Sequence, residues 1–94
     1  METLKILGER LRLLRKEKRL RQVDVAELLN VTQPHYQRVE KGKINIPTLT
    51  LCFLADYYGV NTDYLLGRSE ERGTGKNSPQ ALGSLEKGAG TAKP

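Results

Sequence analysis

The chain has 94 residues, 37% of them hydrophobic and 29% charged, with a net charge of +5 and a pI near 9.6. That length excludes two independent domains and limits any globular part to a modest core, and no apolar run approaches the ~20 residues that a membrane span needs. Cys52 is the one cysteine, so no internal disulfide forms, and residues 1–8 lack the segments of a secretory signal, which makes the cytoplasm the expected location.

The first element is helical. Leu4, Leu7, Leu11 and Leu14 recur at spacings of three and four and define one apolar stripe, with charged residues on the other faces. A second helix over 22–29 is expected to bury Val25, Ala26, Leu28 and Leu29, and Asn30 after it tolerates the left-handed conformation that ends helices. Thr32 is a good N-cap for a third helix. Pro34 falls in that helix's first turn, where its missing amide hydrogen does no harm, Tyr36 and Val39 face inward, and Gly42 ends it. Pro47 and Thr48 open a fourth helix that runs to Tyr58 and closes at Gly59, and a short fifth covers 62–66. Five helices within residues 1–67 leave no room for a sheet, so the expected fold class is a compact all-α bundle.

After Gly67 the composition changes to RSEERGTGKNSPQALGSLEKGAGTAKP, where only Leu82 and Leu85 offer an apolar foothold. Such a stretch cannot bury enough surface to order itself. The expected organisation is a folded domain over 1–67 followed by a disordered tail over 68–94. Neither repeats nor metal and nucleotide motifs occur, so no cofactor is expected.

Net charge alone says little, because residues 1–67 hold 11 Lys/Arg against 8 Asp/Glu, only +3. Placement says more. Arg15, Lys16, Lys18, Arg19 and Arg21 crowd one stretch, and Arg38, Lys41 and Lys43 another. Brought together they make one basic face for an anionic partner; left apart they are two solvated surfaces.

The informative stretch is residues 22–42, QVDVAELLNVTQPHYQRVEKG: a short helix, a turn at Asn30, Val31 and Thr32, and a second short helix. This is helix-turn-helix spacing. The chain resembles the Cro and phage-repressor type of helix-turn-helix domain, the XRE or lambda-repressor-like family, in Arg15, Gln22, Ala26-Glu27-Leu28-Leu29, Val31-Thr32-Gln33 and Arg38-Val39-Glu40-Lys41-Gly42. The later runs Leu54-Ala55-Asp56-Tyr57-Tyr58-Gly59-Val60 and Asp63-Tyr64-Leu65-Leu66-Gly67 resemble it too. The resemblance covers residues 4–67 and implies a five-helix fold and a sequence-specific DNA-binding transcriptional regulator. It also implies an ion pair between Arg15 and Glu40 that ties the first helix to the recognition helix.

A helix in the major groove must expose polar side chains near its N-terminal end while burying its opposite face. Burial of Tyr36 and Val39 is expected to turn Gln33, Pro34, Gln37 and Arg38 outward, and with His35 these are the base-contacting candidates. Gln33 suits the N6/N7 edge of adenine, Arg38 suits O6/N7 of guanine, and Pro34 offers apolar contact alone. Phosphate contacts are expected from Arg21, Gln22 and Thr32, where free helix-start amides attract anions, and from Lys41, Lys43 and Asn45 after the recognition helix. Arg21 stands where the family commonly has a capping Ser or Thr, which favours phosphate affinity over capping.

His35 is the one histidine, and no nucleophile, paired acid or phosphate loop accompanies it, so an enzyme is not expected. The fourth helix is apolar nearly all round, and such a helix should be buried all round. Leu51, Leu54, Ala55 and Tyr58 are expected in the core. That leaves Leu49, Phe53 and Tyr57, with Tyr64, as candidates for a homodimer interface. The expected function is a regulator, by preference a repressor, that binds double-stranded operator DNA. The alternatives are an antitoxin-type autoregulator that holds a protein through its tail or apolar stripe, and a module that binds protein alone.

Overall fold

The computed structural model describes residues 2–73 and consists of α1 (Glu2–Glu17), α2 (Gln22–Leu29), α3 (Gln33–Glu40), α4 (Thr48–Tyr58) and α5 (Thr62–Leu65), with no strand among the described residues. The fold class is all-α. The chain divides into two compact units at Thr50 and Leu51, inside α4.

In the first unit, α3 packs against both α1 and α2. Leu7, Leu11 and Leu14 on α1, Val25 and Ala26 on α2, and Tyr36 and Val39 on α3 are all buried, while Leu4 is half-buried near the start of its helix. The chain leaves α1 through Arg19, whose backbone is left-handed (φ 59°), with the Leu20 amide donating back to Arg15 O at 3.1 Å. Asn30 ends α2 in the same conformation, φ 59° and ψ 43°, and its amide donates to the open carbonyls of the last turn. Thr32 caps α3, its hydroxyl accepting from the His35 amide at 3.2 Å. Replacing Thr32 with Ala removes that acceptor and is expected to cost about 1 kcal/mol, read as a lower urea midpoint with an unchanged m-value.

Leu28 corrects the sequence expectation: it is 45% exposed. At about 100° per residue, Val25 and Ala26 straddle the inward face of α2, Leu29 lies between them but is half-buried at the helix end, and Leu28 falls roughly 110° off the centre. The same geometry puts Gln22 in line with the buried face, and Gln22 is half-buried. Periodicity over eight residues left this flank ambiguous because apolar residues occupy both sides of it.

In the second unit, Leu54, Ala55, Tyr58, Val60, Tyr64 and Leu65 are buried, whereas Leu51, expected in the core, is half-buried. Gly59 (φ 69°) turns the chain out of α4. Asn61 caps α5, its side-chain oxygen accepting from the Tyr64 amide at 2.7 Å, and α5 stops at Leu65, one residue short of the expected end. Residues 68–73, assigned from sequence to the tail, are held at this helix start. The Asn61 amide donates to Arg72 O at 2.7 Å, and the Arg72 guanidinium lies 5.4 Å from the centre of the Tyr64 ring. The rest of the expected tail, 74–94 with Leu82 and Leu85, lies outside the described residues.

Candidate nucleic-acid interface

The α3 surface divides into three strips, and the division follows from helical phase. Tyr36, Val39 and Glu40 are buried and define the inward direction. Pro34, Arg38 and Lys41 lie opposite and are exposed, forming the outer ridge. Gln33 and Gln37 lie on one flank and are half-buried; His35 lies on the other and is exposed. The expectation that Gln33 and Gln37 turn fully outward is therefore corrected: Gln33 falls seven residues before Glu40, nearly two turns, and so shares its row.

That row is tied together by polar bonds. The Arg15 guanidinium donates to both carboxylate oxygens of Glu40, Nε to Oε2 at 2.7 Å and Nη2 to Oε1 at 3.1 Å, and its Nη1 donates to Leu20 O at 2.8 Å. The side chains are 9% and 2% exposed, so this is a buried, two-pronged pair that joins α1 to the end of α3. Gln22 Nε2 donates to Glu40 Oε1 at 3.1 Å, and Gln33 Nε2 donates to Gln22 Oε1 at 2.7 Å. Burial works to raise the Glu40 pKa, but the bonds from Arg15 and Gln22, the nearby Tyr36 hydroxyl and the charge of Arg15 together outweigh it and hold the carboxyl below its ordinary value.

Gly8 makes this arrangement possible. A Cβ on Gly8 would stand 2.4 Å from Glu40 O and 2.7 Å from Val39 O, so α1 approaches the C-terminal backbone of α3 at a distance that only glycine permits. Gly42 does the same just after α3, with φ 74° and a would-be Cβ 2.8 Å from Lys5 Cα. Gly42 ends α3 as its place in the sequence predicts, whereas Gly8 sits inside a helical pattern with nothing local to mark it.

At the start of α2 an open hollow of about 630 Å³ is lined by Arg15, Leu20, Arg21, Gln22, Val23 and Gln33. Arg21 does not cap through its side chain, as expected, but the helix start is not left open. The Asp24 carboxylate accepts from the Arg21 backbone amide at 2.7 Å and from its guanidinium at 2.9 and 3.2 Å. The hydrogen bond to Asp24, and then its charge, raises the Arg21 pKa, and the bonds from Arg21 lower that of Asp24. Asp24 was not among the site candidates, although an acidic residue three positions after an N-cap is a legible sign of this reciprocal bond. Arg21 is thus ion-paired at the helix start while its side chain stays 78% exposed.

The other candidates are spread around α3. Lys41, Lys43 and Asn45 are exposed, and the Asn45 side-chain oxygen accepts from the Ile46 amide at 2.8 Å. His35 is separated from Gln33 and instead lines a cleft of about 430 Å³ with Leu29, Val31, Asn45 and Ile46. No group of three or more His, Cys, Asp or Glu among the described residues is placed to hold a metal ion, and no described helix is long and apolar enough to cross a membrane. On α4, Leu49 is 81% exposed and Phe53 43% exposed, with the Phe53 and Tyr57 rings stacked at 6.1 Å; Tyr64 is buried at 6%.

Two short helices joined by a left-handed Asn and a Thr cap, the second resting on a buried ion pair with a polar outer ridge, define a helix-turn-helix unit. The chain belongs to the helix-turn-helix domain family, whose pattern matches residues 6–66, in agreement with the resemblance read from the sequence. It is 38% identical over 81 residues to the HTH-type transcriptional regulator DdrOP3 of Deinococcus deserti, an alignment covering 84% of this chain and 63% of the relative. It is also 38% identical over 64 residues to the HTH-type transcriptional regulator ImmR of Bacillus subtilis, covering 68% and 50%. A prophage-derived HTH-type transcriptional regulator of the same organism, YonR, is 38% identical over 61 residues, covering 65% and 56%. The chain thus spans from half to under two thirds of the length of these relatives. No solved structure matches it significantly.

Proposed function

We propose that the protein is a sequence-specific DNA-binding transcriptional regulator that reads an operator in the cytoplasm with α3. The observation that carries this reading is the bond between Gln33, in the first turn of α3, and Gln22, in the first turn of α2. It joins a candidate base-reading side chain to the helix start where a phosphate is expected, so docking on the backbone and reading of the bases are set by one geometry. In this reading Gln33 and Arg38 contact base edges through hydrogen bonds, Pro34 on the same ridge as Arg38 adds apolar contact, His35 and Gln37 on the two flanks complete the base-contacting set, and Arg21, Gln22, Thr32, Lys41, Lys43 and Asn45 meet phosphates. Repression is the preferred sign, since α3 seated in an operator excludes other proteins from that site.

Two copies are proposed to act together, because Leu49 and Phe53 expose apolar surface that a second copy would cover. Tyr64 is buried within its own chain, so the contact would fall to α4. Paired recognition helices would then meet half-sites about 34 Å apart.

The test is a set of single substitutions. Gln33→Ala and Arg38→Ala are expected to reduce discrimination between the preferred site and random duplex by about tenfold or more each, with little change in non-specific binding. Lys41→Ala and Lys43→Ala are expected to weaken all duplexes alike and to lower the salt slope by about one each. Base-contact variants that weaken random and preferred duplexes equally would contradict the assignment.

A further inference from the structure

Four side chains of the first unit form one continuous polar chain, Arg15 to Glu40, Glu40 to Gln22, and Gln22 to Gln33. Every link has a direction. An ionised carboxylate has no hydrogen to give, so Gln22 must turn its NH2 group toward Glu40. Its oxygen then faces Gln33, which must offer its own NH2 group in turn. A glutamine amide carries two N–H donors and one oxygen; with one donor committed to Gln22, Gln33 retains one N–H and Oε1. One donor beside one acceptor is the complement of the adenine edge, which presents N7 as acceptor and N6 as donor.

We infer that Glu40, acting through Gln22, fixes the amide sense of Gln33 and is thereby a specificity-determining positioning residue. Its consequence for DNA rests on the function proposed above; the side-chain chain itself does not. The Glu40 side chain is 2% exposed, so water has little access to replace Gln22 as its donor. Three N–H groups, two on Arg15 and one on Gln22, donate to the carboxylate and use both of its oxygens as acceptors. Arg15 is anchored independently by Leu20 O at 2.8 Å, so the base of the chain does not depend on its far end. Without the chain, the Gln33 amide is free to flip and presents either sense to the groove.

The test replaces the pair by apolar groups of similar volume, Arg15→Met/Glu40→Leu, a change that buried ion pairs tolerate without loss of fold. In the free protein, nitrogen-resolved NMR of the side-chain amides reads the chain without DNA. The Gln22 and Gln33 amide signals are expected to be displaced from free-glutamine positions in the wild type and to return toward them in the double variant. With duplexes, the double variant is expected to lose about tenfold in preference for adenine over other bases at the position Gln33 reads, with random-duplex affinity retained. Gln33→Ala is then expected to cost less in that background than in the wild type.

Gln22→Met breaks the middle link with the ion pair intact, and the same response of Gln33 is expected from it if the double variant does not fold. Unchanged Gln33 signals in the variants, or undiminished adenine preference, would overturn the inference. Amide signals that respond in a protein with no base preference would support the side-chain chain and overturn its role in specificity, along with the reading of Gln33 as a base contact.

Discussion

Arg15→Ala is expected to destabilise the protein by about 3–5 kcal/mol, because it strands the Glu40 carboxylate in a buried site with no compensating cation. A domain of this size has ~5–15 kcal/mol of stability in total, so the variant should lose a large share of it and melt well below the wild type. The effect is one of removing a single partner. Arg15→Met/Glu40→Leu, which removes both charges and keeps their volume, is expected to lie within about 1–2 kcal/mol of the wild type in either direction. The pair also sets the response to acid. The folded pKa of Glu40 lies below its ordinary value of 4.5, so its contribution is fully present above that value and is lost as the pH falls through the folded one. Urea midpoints of the wild type should therefore fall on going from pH 6 to pH 3, with a smaller fall in the double variant. A single variant as stable as the double would mean that the pair does not hold the structure together.

Gly8→Ala is the second large effect, and it runs against helix propensity. In an exposed helix interior the change would stabilise by about 1 kcal/mol. Here the new Cβ would stand 2.4 Å from Glu40 O, 2.7 Å from Val39 O and 2.8 Å from Glu40 C, all backbone atoms that cannot move without displacing α3. The expected net cost is about 2–3 kcal/mol, read by thermal unfolding. The comparison is Gly59→Ala, where nothing lies within 4 Å of the added Cβ and only the positive φ of 69° opposes it, for an expected cost near 1 kcal/mol. A Gly8→Ala variant that melts with the wild type would mean that α1 can move off α3 freely. Because the same contact carries the Arg15–Glu40 pair, Gly8→Ala should also blunt base discrimination in whatever fraction remains folded.

What was legible in the sequence is local chemistry. Asn30, Thr32 and Gly42 mark helix ends because their conformational preferences and side-chain acceptors act within a few residues, and the structure has the expected left-handed Asn, Thr cap and positive-φ Gly at those positions. The Arg15–Glu40 pair, 25 residues apart, was reached only through resemblance to a family, since no spacing rule links α1 to the end of α3. Leu28 was misplaced because an eight-residue helix with apolar side chains on both flanks of its stripe does not fix its own phase; the packing of Val25 and Ala26 does. Tyr36 and Val39 alone set an inward direction that turns Gln33 outward, whereas the burial of Glu40 swings that direction toward the Gln33 row. Gly8 left no local trace, because its reason lies in the backbone of another helix.

The central claim is that α3 reads base sequence. Selection of bound duplexes from a random-sequence pool, followed by sequencing and repeated at two salt concentrations, tests it most directly. The account predicts enrichment of a two-fold-related motif at both salts that is lost in Gln33→Ala and in Arg38→Ala. Binding with a steep salt slope and no enriched motif, or no binding to duplex DNA at all, would contradict it.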